Sequence, residues 1–62
     1  MKFAIEVEAY ELQDLNMPGV TILERLETED GTTVFLVDSE QNLISADIDW
    51  SDLPGHIEIE PL

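Results

Sequence analysis

The stretch Phe3-Ala4-Ile5-Glu6-Val7-Glu8-Ala9 decides the fold. Its odd positions, Phe3, Ile5, Val7 and Ala9, are apolar, and Glu6 and Glu8 fall between them. That period of two belongs to a strand with one face buried and the other in water.

Working outward, residues 20–28 and 32–38 flank Asp30-Gly31, a hairpin signal between β-branched runs. Thr33 and the run Val34, Phe35, Leu36 and Val37 favour strand geometry. Thr21 and Glu24 stand at capping-box spacing before Leu26. A helix there would span under two turns and begin with Val20, Thr21 and Ile22, so the strand is the better reading. Residues 38–42 are a polar turn rich in Asp, Ser and Asn. Residues 43–50 then read as a further strand, with Ile44, Ala46, Ile48 and Trp50 alternating against Ser45, Asp47 and Asp49. Ser51-Asp52-Leu53 reads as one tight helical turn before Pro54-Gly55. Ile57 and Ile59 alternate with Glu58 and Glu60 in a last strand. Residues 10–16 admit two readings, a short helical turn carrying Leu12 and Leu15 or an irregular loop ending at Pro18-Gly19.

The expected fold is therefore mainly β, with about five strands joined by short turns and one short helical turn. A strongly bent antiparallel sheet and a closed barrel both fit. The turn between the last two expected strands resembles the one at that place in SH3-like barrels. The resemblance is architectural, covers about the last 40 residues and carries no binding motif of that family.

With 62 residues the chain makes a single domain, residues 1–62. A chain of this size buries only about 60% of its unfolded surface. Cysteine is absent, so no disulfide or thiolate metal site staples the fold, and a reducing cytoplasm, that of the host cell for a viral protein, is the expected location. Acidic residues interrupt the N-terminal stretch where a signal peptide needs an apolar run. The longest apolar run, Val34 to Val37, is far short of the roughly 20 residues of a membrane helix. Because that run is continuous, both faces of its strand want cover.

Charge bounds the function. Fifteen acidic residues face two basic ones, for a net charge of −13, and no Lys or Arg follows Arg25. Phosphate backbones are bound by Lys and Arg that displace counterions, which argues against direct contact with nucleic acid, and anionic membrane surfaces are disfavoured for the same reason. Hydrophobic residues make up 44% of the chain, too many for a disordered acidic tail.

The acids recur in one design. Glu6 with Glu8, Asp47 with Asp49 and Glu58 with Glu60 occupy the polar positions of expected strands, roughly 6.6 Å apart within each pair. If those strands are neighbours, the pairs merge into one anionic patch. Like charges set opposite one another cost an amount comparable to the ~0.2–1 kcal/mol that a favourable cross-strand pair supplies, so a marginal domain has reason to retain them only for a use. In character this is similar to the small acidic nucleic-acid mimics with which bacterial viruses disable host or defence proteins. The function expected is an acidic protein-binding module, an inhibitor that acts as a DNA mimic. Its partner would be a basic, nucleic-acid-binding protein, such as a CRISPR or other DNA-binding complex. Glu6, Glu8, Asp47, Asp49, Glu58 and Glu60 would replace phosphates, with Trp50 and Tyr10 as apolar anchors.

Other readings stand beside it. The acids also suit a solvated face or adaptation to salt, and Trp50 also suits the core. A structural or assembly subunit, joined as a homodimer or larger oligomer through the strand Val34–Val37, is the alternative function. Catalysis, cofactors and metals are not expected. His56, near Asp47, Asp49 and Asp52, reads as a surface turn residue rather than a zinc ligand. Asp38, Glu40, Asn42 and Asp49 follow the register of a calcium loop, but Leu43 stands where that loop needs Gly.

Overall fold

The computed structural model describes residues 1–9, 12–15, 17–46, 48, 50 and 55–62. Among them four strands form one antiparallel sheet: β1 (Lys2–Val7), β2 (Val20–Glu27), β3 (Thr33–Ser39) and β4 (Ile57–Pro61). The order across the sheet is β2-β3-β1-β4. The mainly β, antiparallel expectation thus holds: of the sheet and the barrel it is the sheet that forms, with four strands rather than about five among the described residues. The sheet is open, its outer strands β2 and β4 lie at opposite edges, and no helix forms among the described residues.

Alternation in β1 and β3 separates two faces. Opposed pairs Phe3 with Val37, Ile5 with Phe35 and Val7 with Thr33 turn inward, and all six are buried. β4 continues this face with Ile59 beside Ile5 and Ile57 beside Val7. β2 adds Val20 and Ile22, beside Ser39 and Val37. A sheet with one apolar face needs a second layer to cover it. Here loops supply that layer: Leu15 from the β1–β2 connection and Leu43 from the β3–β4 connection are buried in the same cluster, and Leu12, Met17, Ile48 and Trp50 pack against it.

Polar contacts pin these loops to the sheet. The buried Thr33 hydroxyl donates to the Ala9 carbonyl at 2.8 Å. Arg25, turned inward opposite Phe35, donates through Nε to the Leu12 carbonyl at 2.7 Å. The Glu40 N–H reaches the Gly19 carbonyl at 3.1 Å, joining the two loops. Each such bond satisfies a backbone group that the irregular covering layer would otherwise leave unpaired.

The expected hairpin forms between β2 and β3 across residues 28–32, where the Thr28 N–H meets the Thr32 carbonyl at 2.9 Å and Gly31 adopts φ 91°. The expected strand over residues 43–50 does not form among its described residues. Leu43, Ile44 and Ser45 are turn residues, and Ile48 and Trp50 belong to no strand. Asn42 is the physical reason. Its side-chain oxygen accepts the Ile44 N–H at 3.0 Å and its carbonyl accepts the Ala46 N–H at 2.9 Å, a local alternative to a sheet ladder. The result drives Leu43 inward and leaves Ile44 exposed, opposite to the alternation expected. β1 ends at Val7 rather than Ala9, the described part of residues 10–16 is irregular, and Ser51-Asp52-Leu53 lies outside the described residues.

Candidate functional site

Two strands far apart in sequence bring the candidate acids together. β4 runs antiparallel to β1, with Glu58 directly opposite Glu6 and Glu60 opposite Ala4. All lie on the outer face, the one turned away from the core. The sequence dictates this locally: Ile57 and Ile59 take the inward positions beside Val7 and Ile5, so the intervening glutamates must point out.

Beyond the end of β1, the chain bends at Glu8. The Glu8 N–H is held by the His56 carbonyl at 3.0 Å, which fixes the start of β4 beside it. Gly55 makes this approach possible: its φ is 76°, and a Cβ built there would stand 2.5 Å from the Glu8 carbonyl oxygen. Glycine alone meets both demands without strain.

The β2–β3 loop overhangs the same end of the sheet. Glu6, Glu8, Thr28, Asp30, Thr32, His56 and Glu58 line a shallow cleft of about 230 Å³. His56 Nε2 lies 3.4 Å from Glu58 Oε1, both side chains being exposed. The Thr28 hydroxyl donates to the Asp30 carboxylate.

The electrostatics follow from this crowding. The Glu6 carboxyl is raised above its ordinary value, first by partial loss of water, then by the carboxylates of Glu60 and Glu58, by a hydrogen bond with Glu58 and by Asp30. Asp30 is lowered, because Thr28 and Thr32 hydrogen-bond to its charged form. Lys2 stands on the outer face beside Asp38. Asp38 also lies 3.3 Å from the N-terminal ammonium. Arg25 is committed to Leu12 and to Glu27. The described cleft is therefore bounded by four carboxylates, two threonines and one histidine, with neither Lys2 nor Arg25 in its lining.

Of the candidate residues, Glu6, Glu8, Glu58 and Glu60 gather at this side of the sheet. Trp50 is half-buried and packs against the core cluster. Asp47, Asp49 and Tyr10 lie outside the described residues. Among the described residues no group of three or more His, Cys, Asp or Glu side chains is arranged to hold a metal ion, and no helix is long and apolar enough to cross a membrane.

Sequence reasoning missed two acids. Asp30 reads in sequence only as a turn residue, and its place beside Glu6 depends on β1 pairing with β3. Glu24 reads as an inward position if alternation from Val20 and Ile22 continues, but the register shifts between Ile22 and Glu24. The extra residue, Leu23, flips the pattern, so that Glu24 pairs with Leu36 and Leu26 with Val34 on the outer face. The only sequence hint is Arg25 at what becomes the inward position.

Comparison of the chain with protein-family models, curated proteins and solved structures finds no match.

Proposed function

We propose that this chain is an acidic protein-binding module that inhibits a nucleic-acid-binding protein by occupying its basic surface. A single observation carries the reading: Glu6 faces Glu58 directly across paired strands, with Glu60 one step along the same face. Opposed like charges oppose strand pairing, and the chain's net charge of −13 adds general self-repulsion. A basic partner converts that internal cost into attraction. Duplex DNA presents one negative charge per about 1.7 Å of axis, and carboxylates spaced roughly 6.6 Å apart along a strand serve as surrogates for part of that array.

In this reading Glu6, Glu8, Glu58 and Glu60 contact basic side chains of the partner. The action is occlusion, with no catalytic step and no cofactor. A virus-encoded antagonist of a host or defence complex, acting in the host cytoplasm, is the biological setting that suits such a device.

The test is retention of host proteins on the immobilised chain at low salt, followed by elution with a salt gradient and, separately, with duplex DNA. The expected result is a DNA-binding protein released by both. Retention that resists high salt and is indifferent to DNA would overturn the reading.

A second reading, assembly through the Val34–Val37 strand, draws on one observation. Val34 and Leu36 lie on the outer face, half-buried and outside the core cluster. Phe35 and Val37 are committed to the core, and β3 is hydrogen-bonded on both sides. Assembly would therefore use the face of the sheet rather than its edge.

A further inference from the structure

The outer face carries more than acids. One row across the sheet runs Glu24, Leu36, Ala4, Glu60, from β2 through β3 and β1 to β4. The adjacent row runs Leu26, Val34, Glu6, Glu58. An apolar band of Ala4, Val34, Leu36 and Leu26 is thus bordered by Glu24 on one side and by Glu6, Glu58 and Glu60 on the other. Ala4, Val34 and Leu36 are half-buried, Leu26 is 45% exposed, and all four stand outside the core cluster.

We propose that this face is a docking surface for a basic amphipathic helix of the partner protein, its apolar stripe seated on Leu36, Val34 and Leu26 and its flanking Lys or Arg residues paired with both acidic borders. The proposal rests on the occlusion reading and specifies the shape of what is occluded. Width supports a helix. Strands are spaced about 4.8 Å apart, so Glu24 on β2 and Glu60 on β4 lie roughly 14 Å from one another across one row, and in the adjacent row Glu6 on β1 borders Val34 and Leu26 one strand nearer. A helix with its side chains is about 10–12 Å across, and long basic side chains cover apolar surface while their charged ends reach outward.

Charge argues against a second copy as the occupant, because two such faces in contact would oppose acidic border to acidic border. The edges are poor sites for an added strand. β2 is interrupted by the irregularity at Leu23 and β4 ends in Pro61, both devices that discourage pairing. The face remains the route by which a basic partner gains both apolar contact and charge pairing.

The experiment uses the full chain and two synthetic peptides of identical Leu and Lys composition, each about five helical turns long. One places its leucines on a single helical stripe, and the other is scrambled. The striped peptide is expected to bind at least about tenfold more tightly, and Leu36→Ser to remove about that factor while leaving the scrambled peptide unaffected. If Leu36→Ser compromises folding, Leu26→Ser is the substitute, since Leu26 is already exposed. Methyl resonances of Ala4, Val34, Leu36 and Leu26 should shift on binding while those of Ile5 and Val37 hold. Equal affinity for the two peptides overturns the docking face and leaves the charge-based occlusion reading standing. Insensitivity of both peptides to Glu58→Gln with Glu60→Gln overturns the occlusion reading itself. A concentration-dependent dimer of the free chain, perturbing the same methyl groups, would make a second copy the occupant and overturn the proposal.

Discussion

The two faces of the sheet are built from alternate residues of the same strands, yet they answer to different physics. The inner face, with Phe3, Ile5, Val7, Phe35 and Val37, is buried and supplies the domain's cohesion. The outer face, with Glu24 and Leu36 and, across β1 and β4, Glu6, Glu58 and Glu60, contributes repulsion and apolar surface outside the core cluster. A domain of this size can carry a costly face only because the other is closed by loops as well as strands. The sharpest contrast comes from neighbours in sequence. Phe35→Ala should cost about 3–5 kcal/mol, enough to unfold most of the chain, whereas Leu36→Ala should cost about 1 kcal/mol or less. Urea denaturation of the two variants checks this, and comparable losses would show that the outer face is structural.

The contrast between faces depends on β4 staying docked, and Gly55 governs that. Gly55→Ala brings a methyl group within 2.5 Å of the Glu8 carbonyl oxygen at a φ of 76°. Backbone conformations of this kind cost about 1–3 kcal/mol for other residues, and the clash adds displacement of Glu8. The expected outcome is a loss of about 2 kcal/mol or more, with faster amide exchange at Glu8 than at the β1–β3 ladder. A uniform loss of protection across the sheet would mean that β4 and the core unfold as one unit.

Much of this was legible in the sequence because alternation survives wherever local hydrogen bonding does not compete with it. β1, β3 and β4 follow from Phe3-Ile5-Val7, from the run Val34 to Val37 and from Ile57-Ile59, and the hairpin follows from Asp30-Gly31. The outward placement of Glu6, Glu58 and Glu60 follows from the same parity. Residues 43–50 were misread because Asn42 offers the backbone a turn, which side-chain alternation cannot register. The pattern left sheet and barrel open, because it does not show that the loops carrying Leu15 and Leu43 cover the inner face that a closed sheet would otherwise cover. Glu24 was missed because one extra residue reverses parity, and strand order, which places Glu58 opposite Glu6, is a long-range pairing that no local pattern encodes.

The smallest expected effect tests the outer face alone. Glu6 is raised in the folded chain by lost hydration and by Glu60, Glu58 and Asp30, so folding favours its protonated form. The associated stabilisation is complete below the ordinary glutamate value of 4.5 and is lost as pH rises through the higher folded value. Asp30 acts in the opposite sense: its contribution is present above its ordinary 3.8 and is lost as pH falls through its lowered folded value. Stability should therefore increase from neutral pH into mild acid and decline again in stronger acid. Urea midpoints across that range, measured for the wild type and for Glu6→Gln, provide the check. The substitution should flatten the rise on the mildly acidic side and leave the decline in place. His56 Nε2, 3.4 Å from Glu58 Oε1, shares the cleft with Glu6, Glu8, Asp30 and Glu58, and His56→Gln, the control variant, should keep the rise. A rise that vanishes with His56 and survives Glu6→Gln would move the source of the effect from the opposed glutamates to the histidine–glutamate contact.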